Sequence, residues 1–270
     1  MVTSQRVQII IICCLNLFKV LNVKSNMFQV IVGTQEFNLG LIVVDMQNGF
    51  VSKGGSYDKL GMNTDGYRKI IPKIKDLITF CRQNDIPIFY TEAVRESSGI
   101  DLLTRVHRLL PLAREERLKI PICIRGTWDG LTIDELKPTE KDHIVIKRRD
   151  GAFQDTELRV WLQSERINTL VFCGVDTSIC VETSLREAFN IGYDVILISD
   201  ATASGIQKHY ETTLERVRDY YGVVATVDRF YAMINNLKEL RSGKFKDDEV
   251  EEKYGKFLAE FSLLDIREKK

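Results

Sequence analysis

Short apolar runs and amphipathic stretches alternate through most of this chain, beginning near position 39. Leu39–Asp45 (LGLIVVD) is an apolar run that ends in a carboxylate, the pattern of a parallel strand buried on both faces. Asp65 to Asn84 places apolar residues at 70, 71, 74, 77, 78 and 81, a single helical stripe. Ile86–Thr91 (IPIFYT) predicts a second strand, Leu102–Leu118 a helix interrupted at Pro111, and Ile120–Lys137 irregular chain around Gly126, Trp128 and Gly130. His143–Lys147 (HIVIK), Leu170–Val175 (LVFCGV), Tyr193–Ser199 (YDVILIS) and the short Val223–Thr226 continue the strand series. Helices are expected between them over Thr156–Gln163, from about Ile179 to Ile191, and from about Lys208 to Tyr221. Strands alternating with helices mean right-handed βαβ crossovers, so the expected fold is α/β, a mostly parallel sheet covered by helices on both faces.

The two ends of the chain break this pattern. Val7–Phe18 is apolar except for Gln8 and Asn16, and twelve residues rise about 18 Å as a helix, well short of a bilayer core. The length suits a secretory apolar region, yet no A-x-A-like cleavage site follows. Residues 1–26 are therefore expected to be an N-terminal extension, either a misassigned start ahead of Met27 or a short signal or anchor segment. Residues 27–236 are expected to form the catalytic domain. Residues 237–270 carry nine basic and nine acidic side chains with apolar positions at 257, 258, 261, 263 and 264, and read as a charged helical extension.

Composition narrows the class. With 38 basic and 38 acidic side chains in 270 residues, no overall attraction to nucleic acid or to an anionic membrane is expected, and a membrane enters only if the N-terminal segment is retained. Six cysteines without a C-x-x-C pair suit a reducing cytoplasm better than a disulfide scaffold. Three histidines far apart in sequence give no zinc spacing, so no metal and no cofactor is expected. Neither G-x-G-x-x-G, nor a P-loop, nor G-x-S-x-G follows any of the strands.

In an open parallel sheet ligands bind outside the carboxyl ends of the strands. Asp45 ends the first strand, Lys147 ends the third, and Cys180 opens the helix after the fourth. Free cysteine is usually a small buried hydrophobe. A cysteine in the first helical turn, with a lysine on the same sheet edge, instead suggests a stabilised thiolate nucleophile. Asp45, after four apolar residues, suits proton transfer.

Asp45-Met46-Gln47-Asn48-Gly49-Phe50, Lys147 followed by Gly151-Ala152-Phe153, and Gly174-Val175-Asp176-Thr177-Ser178-Ile179-Cys180-Val181-Glu182-Thr183 resemble the isochorismatase-like cysteine hydrolases. The likeness runs from about Leu39 to Ala225. It implies a three-layer α-β-α fold on a six-stranded sheet, an Asp45–Lys147–Cys180 triad, and a homo-oligomer. It also implies a non-proline cis peptide, Val175–Asp176, in a turn where backbone N–H groups of Asp176 or Thr177 and of Cys180 face an oxyanion. Ser52 to Gly61 contains no histidine, unlike the metal-holding nicotinamidase type, and Cys180 differs from the vinyl-ether-cleaving members. Arg125-Gly126-Thr127-Trp128 with Glu135-Leu136-Lys137-Pro138 is similar to ureidoacrylate and biuret hydrolases.

The implied activity is thus cysteine-dependent hydrolysis of a C–N bond in a small amide, carbamoyl or ureide molecule through a thioester. The alternatives are vinyl-ether hydrolysis, or a non-catalytic member acting in binding or assembly. Phe50, Glu92, Trp128 and Phe153, together with Tyr90, are candidates for the pocket wall. Arg95, Arg125 and Arg149 are candidates for a substrate carboxylate. Gln47 and Asn48 are expected to orient Asp45.

Overall fold

The computed structural model describes residues 37–241. β1 (Leu39–Val44) is buried along nearly its whole length and lies at the centre of the sheet. Four short or medium helices follow: α1 (Asn48–Val51), α2 (Ser56–Lys59), α3 (Asp65–Lys69) and α4 (Ile71–Gln83). The single helix expected over 65–84 is thus divided at Ile70, and Pro72 explains where the second part starts. Its ring fixes a helical φ, and its missing N–H costs nothing in a first turn.

β2 (Ile88–Ala93) leads into a long covering segment that holds only α5 (Leu103–Val106) and α6 (Leu112–Glu116). This corrects the longer helix expected over 102–118. Pro111 sits with ψ 147° as the cap of α6, and His107 is extended as well. Proline disfavours helix in the residue before it, and the segment lacks a buried stripe to compensate: Val106, Leu109 and Leu112 are exposed.

β3 (His143–Lys147), α7 (Leu158–Ser164), β4 (Thr169–Val175), α8 (Glu182–Asn190), β5 (Asp194–Ala203), α9 (Gln207–Tyr220), β6 (Val223–Ala225) and α10 (Val227–Arg241) complete the order. α10 runs through the boundary expected at 236/237. The proposed extension of residues 1–26 and the rest of the C-terminal segment lie outside the described residues.

The six strands are ordered β3-β2-β1-β4-β5-β6 and every pairing is parallel, as the α/β reading requires. Side chains alternate between the two faces. Ile42, Val44, Phe89, Leu170, Phe172, Val195 and Leu197 form one core with Leu158 and Leu162 of α7, Leu185 and Ala188 of α8 and Val217 of α9. On the other face α4 packs on β1, β2 and β5, and Phe80 of α4 meets Phe230 and Tyr231 of α10. The strand order reverses between β1 and β4, so their outgoing loops part and open a crevice at that edge.

Candidate active site

Asp45 leaves β1 directly into this crevice, 1 % exposed. Its φ is 50°, a left-handed conformation that aspartate tolerates better than most residues. Thr91, on the neighbouring strand, fixes it twice. The Asp45 N–H donates to the Thr91 carbonyl at 3.1 Å, and the Thr91 hydroxyl donates to Asp45 Oδ1 at 2.6 Å. The other carboxylate oxygen, Oδ2, lies 2.9 Å from Lys147 Nζ, an ion pair that leaves it without a well-aligned hydrogen bond.

Lys147 ends β3 and is fully buried. Its ammonium also donates to the carbonyls of Arg149 (3.0 Å) and Asp150 (2.8 Å), so the turn after β3 wraps around it. Two carboxylates hold that turn. Glu187 of α8 accepts from the Phe153 N–H at 3.1 Å, and a side chain at Gly151 would strike the Glu187 carboxylate. Asp150 receives both guanidinium nitrogens of Arg114 from α6, at 3.0 and 2.5 Å, which ties the covering segment to the same turn. Burial is the largest single influence on Lys147 and favours its neutral form, but Asp45, Cys180 and Asp150 together outweigh it and hold the lysine above its ordinary value.

Cys180 is half-buried and near enough to Asp45 and Lys147 for both to act on its thiol. Burial pushes the thiol well above its usual range; Lys147 pulls it down, and Asp45 pushes it up again. One ammonium shared with a carboxylate does not offset desolvation, so the surroundings favour the neutral thiol over a thiolate. Alkylation by iodoacetamide should therefore be slow at neutral pH and keep rising beyond about pH 9, where an ordinary thiol near ~8.5 levels off. A plateau near neutrality would show a preformed thiolate instead.

The turn carrying Cys180 is built around Asp176, and the Val175–Asp176 peptide is cis. The Asp176 carboxylate accepts from Ser178 N–H (2.8 Å), Tyr67 OH (2.7 Å), Ser204 Oγ (2.9 Å) and Gly205 N–H (2.9 Å). Thr177 is bonded through its hydroxyl to Thr202, which donates to the Gly174 carbonyl, each at 2.8 Å. Gly174, at φ 107°, passes so close to the Val44 backbone that no Cβ fits. Thr177–Val181 forms a π-turn, in which the Asp176 carbonyl accepts from Ile179 and Val181, both at 3.1 Å, and passes over Cys180.

A cavity of about 240 Å³ opens onto Cys180 and Lys147 between the sheet edge and the covering segment. Phe50 lines it; the other aromatic and acidic candidates do not. Glu92 is turned to Thr132, accepting from its N–H (3.0 Å) and hydroxyl (2.8 Å). Trp128 lies on a short 3-10 turn, 49 % exposed. Phe153 packs on the α7–α9 core beside Tyr193, and Tyr90 is buried with its hydroxyl toward Arg82. Glu92, Phe153 and Tyr90 thus meet partners other than the cavity, and Trp128 is exposed on its turn, which residue type alone does not reveal.

Arg95 and Arg149 line the cavity but donate to backbone carbonyls, at 2.8 Å to Arg148 and 2.9 Å to Asp101, while Arg125 pairs with Glu96 at 2.9 Å. Gln47 and Asn48 do not touch the Asp45 carboxylate. Gln47 clamps Ala93 and Gly130, and Asn48 holds the carbonyls of Trp128 and Leu131, so they anchor the 128–132 loop to the end of β1. Thr91, Tyr57, Arg114, Arg117 and Asp150 emerge only in three dimensions. Among the described residues no group of three or more His, Cys, Asp or Glu side chains is placed to hold a metal, and no helix is long and apolar enough to cross a membrane.

Comparison with known proteins agrees with this geometry. The isochorismatase domain model matches residues 40–229. Ureidoacrylate amidohydrolase RutB of Agrobacterium fabrum is 30 % identical over 203 residues, covering 72 % of this chain and 89 % of that protein. The same enzyme of Yersinia enterocolitica is 32 % identical over 200 residues, covering 70 % and 86 %. Among solved structures, an isochorismatase-like hydrolase from Alkaliphilus metalliredigens superposes with a TM-score of 0.60 at 29 % identity, over 72 % of this chain and 98 % of that one. N-carbamoylsarcosine amidase from Thermoplasma acidophilum shares the fold, with a TM-score of 0.57 at 24 % identity over 71 % and 97 %.

Proposed function

The chain belongs to the isochorismatase family, and from that premise we propose that it hydrolyses a C–N bond of a small carbamoyl or ureide compound, with Cys180 as nucleophile. The observation that carries this reading is the Asp45–Lys147 ion pair, buried and 2.9 Å apart, facing the half-buried Cys180 thiol at the mouth of a closed-in cavity. The relatives named as ureidoacrylate amidohydrolases support the ureide class.

Cys180 attacks the ureide carbonyl carbon while its thiol proton passes to Asp45 Oδ2, the oxygen without a well-aligned hydrogen bond. Lys147 keeps Asp45 ionised beforehand and stabilises the negative charge that builds on sulfur. The N–H groups of Asp176 or Thr177 and of Cys180 hold the oxyanion, since those of Ser178, Ile179 and Val181 already point at Asp176. Collapse of the tetrahedral intermediate breaks the C–N bond, and Asp45 returns its proton to the leaving nitrogen. Asp45 then takes a proton from water, which attacks the thioester and releases carbamate and the free thiol. Carbamate breaks down to ammonia and carbon dioxide. The four described cysteines are free, which supports a reducing, cytoplasmic setting, and self-association rests on the family likeness.

The test is ammonia release, without added metal, from ureidoacrylate, biuret, N-carbamoyl amino acids and nicotinamide, followed by acid quench and peptide mass analysis. Turnover of a ureide or carbamoyl compound with an acyl adduct on the Cys180 peptide is the expected result. Turnover without any adduct on that peptide, or no turnover of the whole panel, would reject the mechanism.

A further inference from the structure

Every carboxylate on the cavity wall is already matched to a cation. Asp150 is held by Arg114 through both oxygens, and Glu96 receives Arg125 at 2.9 Å and Arg148 at 2.5 Å. Not all of the wall's cations are matched in return. Arg114 pairs with Asp150 and Lys147 with Asp45. Lys119 has Glu116 beside it, but Arg95 and Arg149 are bonded only to carbonyls, which position a guanidinium without cancelling its charge. Arg117 makes no salt bridge among the described residues, although its charge reaches Asp150, which Arg114 already holds. It lies with its guanidinium carbon 5.3 Å from the centre of the Tyr57 ring, in the cavity wall.

Tyr57 connects this arginine to the reacting atoms. It is 7 % exposed, packed edge-on against Phe50 at 4.8 Å, and it lines the same cavity as Cys180. Its hydroxyl is close enough to both Arg117 and Cys180 for each to act on its ionisation. Tyr57, Cys180 and the guanidinium over the Tyr57 ring thus share one cavity wall. A guanidinium over an aromatic ring keeps its N–H edges available to a carboxylate.

We propose that Arg117 binds a carboxylate carried by the substrate, so that the enzyme selects anionic ureido acids over neutral ureides and amides. The inference rests on the hydrolase reading above and deepens it. A ureide carbonyl at Cys180 and a carboxylate a few carbon atoms away at Arg117 would both be satisfied by one short chain lying over Tyr57. The net positive wall would also favour entry of the anion.

The test compares 3-ureidopropionate with its methyl ester, read by ammonia release. Wild type should prefer the acid. Arg117→Ala should raise KM for the acid by about 10- to 100-fold, the range of one charge-assisted contact, while kcat changes less than about threefold and the ester is unaffected. Arg117→Lys should restore part of the loss, because it returns the charge without the planar fork. Equal losses for acid and ester, or none for either, would overturn the assignment and leave the hydrolase reading standing. If wild type releases ammonia from neither compound, that reading fails, and calorimetric binding to Cys180→Ala decides the role of Arg117 separately. Tighter binding of the acid that disappears with Arg117→Ala supports it; equal binding of acid and ester rejects it.

Discussion

Cys180→Ala is expected to lower ureide hydrolysis by about 10⁴-fold or more, to the level left by binding and the oxyanion donors alone. In the proposed mechanism the thiol is the atom that bonds to the carbonyl, and other described cysteines are engaged elsewhere. Cys173 lies within β4 and is fully buried in the sheet, and Cys123 is turned to the Asp129 carbonyl at 3.4 Å. Stability should change by less than about 1 kcal/mol, because a half-buried sulfur contributes little packing. Progress curves with the best substrate and a denaturant titration of both proteins measure the two effects. Retention of activity would move the chemistry to Asp45 as a lone proton donor, as cleavage of a vinyl ether would require. Loss of activity together with loss of folding would instead make Cys180 a core residue.

The proposed reacting groups were legible in the sequence because a parallel sheet concentrates chemistry at one edge. An apolar run ending in Asp45, another ending in Lys147 and a strand-to-helix turn before Cys180 needed only the direction of the strands to be brought together. The ionisation of Cys180 was not legible. It depends first on how deeply the thiol is buried, and then on how far Asp45 offsets Lys147 across their 2.9 Å contact. β5 was read only to Ser199, since Asp200-Ala201-Thr202-Ala203 lacks apolar continuity. It extends to Ala203 because Gly174 and Val175 pair with Thr202 and Ala203 past a bulge. That extension puts Thr202 under the nucleophile turn. Tyr57 stood out in sequence only as part of a stretch without histidine, and it became a cavity wall because α2 folds back beneath Phe50. Glu92 failed in the opposite way, as a carboxylate at a strand end that a threonine across the sheet edge had claimed.

Lys147→Met is expected to remove activity as fully as loss of the nucleophile, and to destabilise the fold by about 3–5 kcal/mol. The two effects share one cause. The Asp45 carboxylate, 1 % exposed, would lose its only ammonium, and Thr91 alone does not compensate a buried charge. The deficit should shrink as pH falls, because a proton taken up by the carboxylate removes the unpaired charge. In the wild type the raised Lys147 contributes stability that is fully present below the ordinary lysine value near ~10.4 and is lost as pH rises through the higher folded value. Wild-type stability should therefore not vary through Lys147 between about pH 6 and 9, whereas the variant's should. Pairing the change with Asp45→Asn separates structure from chemistry. The double variant buries no charge, and the amide oxygen that replaces the carboxylate can still accept from Thr91, so most of the lost stability should return while hydrolysis stays absent. Denaturant titrations of the single and double variants at pH 5 and pH 8, beside kcat/KM, read the cycle. A double variant no more stable than Lys147→Met would mean that the lysine stem and its carbonyl-held turn, rather than the charge pair, support this edge of the sheet.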